Sequence, residues 1–214
     1  MRCQTPRTAG GFRAWGPRSL GLRGPGVGYS SRIVGWRRVM RALTSVLVVA
    51  AAVSVALNAQ VAKQERAGIV NFSKVDAVIA CGGATETSAL EGLAKDGFKS
   101  VINLRQATEQ NANIEQNAAR TKELGMKYIH LPFNSAQPDT KVVDTFLAAV
   151  ADKSNQPAYI HCGSASRVGA LWLVKRVMQD GWTVEKATEE AKAIGLRSEP
   201  LEKFAMSYIA ANKR

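Results

Sequence analysis

Residues 158–179 constrain this chain more than any other stretch. Ala158-Tyr159-Ile160 is a short apolar run with an aromatic, the pattern of a buried strand, and it ends at His161-Cys162. A helical apolar pattern starts at Arg167 and continues through Val168, Leu171, Trp172, Val174, Val177 and Met178. Only Gly163, Ser164, Ala165 and Ser166 lie between Cys162 and Arg167. A buried strand that passes into a helix through a loop of small side chains belongs in an α/β layer. The loop then falls at the carboxyl edge of the sheet, where open α/β sheets bind ligands. Small side chains let backbone N–H groups converge on an anion, and the helix N-terminus adds partial positive charge. A cysteine in that setting is favoured as the thiolate and becomes a nucleophile. Arg167 offers a planar fork suited to paired oxygens. Together these residue types suit attack by Cys162 on an oxyanion ester, with Gly163, Ser164, Ala165 and Ser166 supplying N–H donors. His161 fits a role in orienting the loop rather than acting as a base.

The rest of the chain supports that layer. Asp76–Ala80 reads as a first strand ending at Cys81-Gly82-Gly83, and Thr85 as the cap of a helix over Glu86–Lys95. Lys99–Leu104 is a second strand, apolar through its middle as strands buried on both faces are. A loop rich in Asn and Gln leads to a helix over about 114–124 closed by Gly125, and Lys127–Leu131 is a third strand. Pro138-Asp139 opens a helix carrying Val142, Val143, Phe146, Leu147 and Val150 at helical spacing. After the strand Pro157–His161, helices are expected over Val168–Gln179, Val184–Ile194 and Glu199–Ala210, with Thr183 and Ser198 as caps. The alternation predicts a three-layer α/β domain, residues 70–212, with a short, mainly parallel central sheet.

Charge separates a head from this domain. Residues 1–62 hold nine arginines and no Lys, Asp or Glu, so they carry +9 of the chain's +12. The basicity is therefore a property of the head, and no nucleic-acid partner is expected of the domain. Residues 1–39, rich in Gly, Arg, Pro and Ser, read as an unpacked segment, or as sequence upstream of a true start at Met40. Residues 40–62 pair Met40-Arg41 with the uncharged stretch 42–62. That is the form of a cleavable export signal, and its length also suits a membrane anchor. The expected location is periplasmic or exported, with a tether in the cytoplasmic membrane through residues 42–62 as the alternative. The cysteines are Cys3, Cys81 and Cys162, and the histidines His130 and His161. That set makes neither a disulfide framework nor metal-ligand spacing, so no metal and no cofactor are expected.

From His161 to Ala170 the chain resembles the cysteine-dependent phosphatases, in particular a bacterial dual-specificity-like group related to the phosphatase-like domain of beta-lactamase hydrolase-like proteins. The likeness continues in Gly97-Phe98-Lys99-Ser100-Val101-Ile102-Asn103-Leu104-Arg105 and in Leu124-Gly125-Met126-Lys127-Tyr128-Ile129-His130-Leu131-Pro132, and spans about Phe72–Ile209. It implies a cysteine-phosphatase-like fold and hydrolysis of phosphate monoesters through a cysteinyl-phosphate. The substrate would be a phosphorylated protein or a small phosphoester. Cys162 would be the nucleophile and Arg167 the residue that holds the equatorial oxygens.

Two departures matter. Four residues separate Cys162 from Arg167 where common tyrosine phosphatases have five, a spacing that also fits rhodanese sulfurtransferases. Val168 stands where those phosphatases place a hydroxyl that helps the thiolate depart. The resemblance also implies an aspartate just after Pro132-Phe133 as general acid, but Asn134 and Ser135 follow, neither of them an acid. Asp139 is the nearest carboxylate and the candidate acid, although Pro-Asp-Thr is also ordinary helix-start chemistry. Arg105, ending the second strand at the same edge as Cys162, is a candidate anion contact. A sulfurtransferase carrying persulfide on Cys162 and an inactive phosphoanion-binding module stay open beside the phosphatase.

Overall fold

The computed structural model describes residues 61–213. The head, residues 1–39, and the signal or anchor segment up to residue 60 lie outside the described residues. Among the described residues no helix is long and apolar enough to cross a membrane.

A six-stranded sheet organises these residues. Its strands are β1 (Ala62–Lys63), β2 (Ser73–Lys74), β3 (Ile79–Gly82), β4 (Ser100–Asn103), β5 (Lys127–His130) and β6 (Ala158–His161), in the order β1-β2-β3-β6-β4-β5. The four strands from β3 to β5 run parallel, while β1 and β2 add antiparallel pairs at the β3 edge. The helices are α1 (Leu90–Lys95), α2 (Ile114–Glu123), α3 (Thr140–Ala151), α4 (Ser166–Met178), α5 (Val184–Ile194) and α6 (Glu199–Asn212). The expected mainly parallel sheet is present, as a mixed one.

Alternation along the strands creates the three layers. Ala80, Val101 and Tyr159 face one side, where they meet Leu90 and Leu93 of α1 together with Phe72 and Met126. Ile79, Cys81, Ile102, Ala158 and Ile160 face the other, against Val143, Phe146 and Val150 of α3 and the cluster formed by α4, α5 and α6. β6 is the middle of the parallel part, paired with β3 on one side and β4 on the other. All four of its residues are buried, which is why its sequence is apolar without alternation. The helix α4 is buried almost all round and packs on α5 and α6. Gly169 permits the α4–α5 approach: a Cβ there would lie 2.7 Å from the Ala191 carbonyl oxygen.

Three expectations are corrected. Thr85 does not cap a helix; its hydroxyl donates to the Gly83 carbonyl at 3.1 Å and shares a hydrogen bond with the Tyr159 hydroxyl at 2.8 Å. The α-helix consequently begins at Leu90, after a 3-10 turn over Thr87–Ala89. The first parallel strand starts at Ile79 rather than Asp76, because the Asp76 carboxylate accepts from the Val78 and Ile79 N–H groups and forms a turn. The two-residue strands β1 and β2 were not expected; they are too short to show a periodicity. The remaining helix boundaries and the caps Thr183 and Ser198 agree with the sequence, and Asp139 caps α3.

Candidate active site

The centre of the sheet places Cys162 at the first position past β6. Its N–H donates to the Gly82 carbonyl at 3.2 Å, and the residue is 1% exposed. Glycine at 83 makes room for the loop that follows, since a Cβ there would stand 2.9 Å from the Gly163 oxygen and 3.2 Å from Ser164 Cα. Two loop carbonyls are engaged from outside: Ala84 N–H donates to Gly163 O at 2.8 Å, and Asn71 Nδ2 donates to Ser164 O at 3.1 Å. The N–H groups of Gly163, Ser164 and Ala165 donate to no protein acceptor among the described residues. Ala165 turns the chain into α4 with φ +72°, a left-handed conformation costing roughly 1–2 kcal/mol for a residue with a Cβ. The surrounding structure enforces it, for Ala165 is fully buried. The Ser166 hydroxyl accepts from the Arg197 and Ser198 N–H groups and ties the start of α4 to the start of α6.

Arg167, in the first turn of α4, is held by groups from three other segments. Its Nη1 donates to Leu104 O (3.1 Å), Phe133 O (3.1 Å) and Glu109 Oε1 (2.6 Å), and its Nη2 to Glu109 Oε2 (2.8 Å). Glu109 therefore grips the Nη1/Nη2 edge of the guanidinium in a bidentate pair. The Nε/Nη2 edge keeps one N–H on each nitrogen, a second parallel fork. Burial opposes the charge on Arg167, but the Glu109 carboxylate and the neighbouring Cys162 sulfur raise its pKa.

Glu109 also accepts from Gln106 N–H at 2.7 Å and Arg105 Nε at 3.1 Å. Burial would push its pKa up, yet the hydrogen bonds from Arg167, the Gln106 backbone and Arg105 outweigh that and bring it to about 2. It is a fixed carboxylate at neutral pH.

The same loop corrects the expectation for Arg105. Rather than reaching an anion, its guanidinium donates to Glu109, Gln110 O (2.6 Å) and Asn111 O (2.9 Å). Its carbonyl bonds His130 Nε2 at 2.8 Å and its N–H donates to Asn103 Oδ1. Arg105 thus shapes the 105–111 loop around Glu109. The reason is proximity: a carboxylate four residues on and two carbonyls of the same loop lie within hydrogen-bond reach of it.

His161 is buried and stacks on Tyr159, with centroids 5.5 Å apart. Neither ring nitrogen has a well-aligned protein partner. Burial, then the charge of Arg105, lower its pKa to about 3, against the backbone of Gly83 and Cys162, so the ring is neutral. Cys81 lies in the same apolar cluster as Cys162, and burial first, then the charges of Glu190 and Asp76, push its thiol well up. Among the described residues no group of His, Cys, Asp and Glu could hold a metal ion.

A cleft of about 440 Å³ opens over the loop, lined by Gln106, Glu109, Asn134, Ser135, Ala136, Ser164, Ser166, Arg167, Ser198 and Leu201. The structure thus brings together the cysteine loop, Arg167 and the Asn134-Ser135 position. Asp139 is not in this lining. It is exposed, and its carboxylate caps α3 by accepting from Lys141 N–H at 2.9 Å. Sequence reasoning missed Glu109 and Asn71. Glu109 had a signal: it is the one carboxylate in the Asn- and Gln-rich stretch between β4 and α2. Asn71 had none, because its partner is a backbone carbonyl 93 residues away.

Comparison with known proteins bears on the family and the fold. Residues 50–207 match the family described as DSP-PTPase phosphatase fused to NAD+ kinase. No curated protein sequence matches. Among solved structures the chain is similar to a DUF442 protein of Shewanella putrefaciens CN-32, with 17% identity, a TM-score of 0.59, and 69% of this chain and 96% of that one covered. It is also similar to the core catalytic domain of the PP-IP phosphatase SIW14 from S. cerevisiae, with 21% identity, a TM-score of 0.56 and coverages of 64% and 85%. For P. aeruginosa TpbA the identity is 16%, the TM-score 0.57 and the coverages 73% and 92%.

Proposed function

The chain belongs to the DSP-PTPase phosphatase family, and on that premise we propose how its site performs a cysteine-dependent phosphatase reaction. Cys162 attacks the phosphorus of a bound phosphoryl group, and the leaving oxygen departs with the electron pair of its bond. The N–H groups of Gly163, Ser164, Ala165 and Ser166, with the start of α4, surround the transferring oxygens. Arg167 meets two of those oxygens with its Nε/Nη2 fork, held in place by Glu109 on its other edge. Water then attacks the cysteinyl-phosphate and releases phosphate and the thiolate.

The observation that carries this reading is the Arg167–Glu109 clamp. It fixes a guanidinium beside Cys162, and among the described residues the Nε/Nη2 edge has no oxygen acceptor besides Glu109. Sulfur transfer by a Cys162 persulfide is not favoured, since the matching family is one of phosphatases. The test is turnover of 4-nitrophenyl phosphate by the full chain in detergent, with Cys162→Ser beside it. Loss of a covalent nucleophile should cost more than about 10²-fold, while tungstate still protects the variant against thermal unfolding. Turnover of thiosulfate with cyanide in place of the phosphate ester would overturn the reading.

On sequence grounds we also propose that residues 40–62 form an export signal of bacterial type, or an anchor that tethers the catalytic domain to the membrane. Mass spectrometry of the N-terminus in fractionated cells tests this, and an intact Met1 in the soluble cytoplasmic fraction would refute it.

A further inference from the structure

All of the chain's carboxylate side chains are placed, because residues 1–60 and Arg214 contain no Asp or Glu. Of the 17, one lines the cleft over the cysteine loop: Glu109. It accepts four hydrogen bonds from charged or backbone donors and carries no proton to give. Asp139 is occupied as a helix cap outside the lining, and Asp144 accepts from the Tyr208 hydroxyl. His161 is buried and neutral, with Cys162 between it and the loop. The cleft therefore offers the leaving group no acid. It offers hydroxyls and amides instead, from Gln106, Asn134, Ser135, Ser164, Ser166 and Ser198, and no aromatic ring on which a phenyl group could stack.

A leaving group that receives no proton must depart as a stable anion. An alkoxide from phosphoserine does so poorly, a phenoxide from phosphotyrosine has a conjugate acid of pKa about 10, and a phosphate monoester dianion has one of about 6. The last is also the group that neutral hydroxyl and amide donors solvate well. Resting on the phosphatase reading, we propose that this site acts on phosphoric anhydrides, removing the terminal phosphoryl group of a diphosphate. In the first step the S–P bond to Cys162 forms and the P–O bond to the bridging oxygen breaks, its electron pair leaving with the departing phosphate and no proton moving. In the second, water adds to phosphorus, the S–P bond breaks, and the product leaves as H₂PO₄⁻ with the thiolate restored.

The experiment uses the full chain in detergent and compares kcat/KM for adenosine diphosphate, 4-nitrophenyl phosphate, phenyl phosphate and phosphoserine. General acid catalysis is worth about 10²–10⁴-fold, so the diphosphate should exceed phosphoserine by at least that much. Asn134→Asp, which installs a carboxyl in the cleft wall and removes an amide donor, should raise the rate on phosphoserine relative to the rate on the diphosphate. Comparable rates on phosphoserine and the diphosphate would overturn the proposal, and their separation in Asp139→Asn would then identify that residue as the acid. Turnover of 4-nitrophenyl phosphate with none of the diphosphate would overturn it as well, while leaving the phosphatase reading intact. No turnover of any ester or anhydride would remove the phosphatase reading itself.

Discussion

Two arginines on the helix α4, about two and a half turns apart, each pair with a glutamate, and they differ in what they leave unused. Arg176 donates to Glu190 through Nε (2.6 Å) and Nη2 (3.0 Å) and to Asp180 through Nη1, with Asp76 at 3.5 Å. The Trp172 and Trp182 rings lie against it, and Trp172 Nε1 donates to the same Glu190. Every nitrogen of that guanidinium is engaged. Arg167, by contrast, is pinned along one edge and keeps the other toward the cysteine loop. The same chemical pair is thus a fastener between α4 and α5 at one end and a presented binding group at the other. Being paired does not make an arginine structural; what counts is whether a fork is left over and what it faces.

The comparison can be broken most forcefully at the fastener. Glu190→Ala takes the carboxylate from Nε and Nη2 of a buried guanidinium, since the side chains of Arg176 and Glu190 are 10% and 7% exposed. Removing one partner of such a pair costs about 3–5 kcal/mol. Urea unfolding should show that loss, while the kcat of the folded fraction stays near wild type. A large kcat change with intact stability would erase the distinction between the two pairs.

Arg167→Lys tests the other end. A lysine keeps the charge but not the planar fork, so kcat/KM on 4-nitrophenyl phosphate should fall by about 10²–10³-fold, the usual worth of a transition-state donor. The unfolding midpoint should shift little by comparison. Retained activity would mean that the Nε/Nη2 fork is not used.

Glu109→Gln is a gentler change because it keeps the shape of the clamp and removes its charge. Loosened positioning of Arg167 should cost up to about 10²-fold in kcat. The variant should also alter acid stability in a defined direction. The folded pKa of Glu109, about 2, lies below the ordinary 4.5, so its stabilisation is complete above 4.5 and is lost as pH falls from 4.5 toward 2. In Glu109→Gln that part of the decline disappears. An unchanged decline would show that the clamp adds no stability.

Asp139→Asn should have the smallest effect. Asn caps helices about as well as Asp, so stability changes by a few tenths of a kcal/mol at most, and turnover of a diphosphate or nitrophenyl ester is unaffected. A loss of about 10²-fold or more on these good leaving groups would place Asp139 in the reaction after all.

The strand-loop-helix from Ala158 to Met178 was readable from the chain because each of its signals is local: a run of apolar residues, a run of small ones, then a 3.6 period. The same holds for the caps at Thr183 and Ser198, and for the alternation that demanded a parallel sheet. The sequence by itself therefore determined the layer architecture and the position of Cys162 at a sheet edge. It could not decide what side chains such as Arg105, Thr85 and Glu109 do, because each takes its partner from competition between groups that only folding brings together. Arg105 stands at the right edge for an anion, yet the 105–111 loop supplies it with a carboxylate and two carbonyls. Thr85 has the chemistry of a cap, but the Tyr159 hydroxyl, 74 residues away, claims it. Glu109 and Arg167 are 58 residues apart and pair because β4 and β6 are neighbours in the sheet. Local structure follows from short-range steric and hydrogen-bonding preferences, which a sequence carries in full. The assignment of charged and polar side chains follows from long-range juxtaposition in a medium where an unpaired partner is costly, and only the tertiary structure decides that.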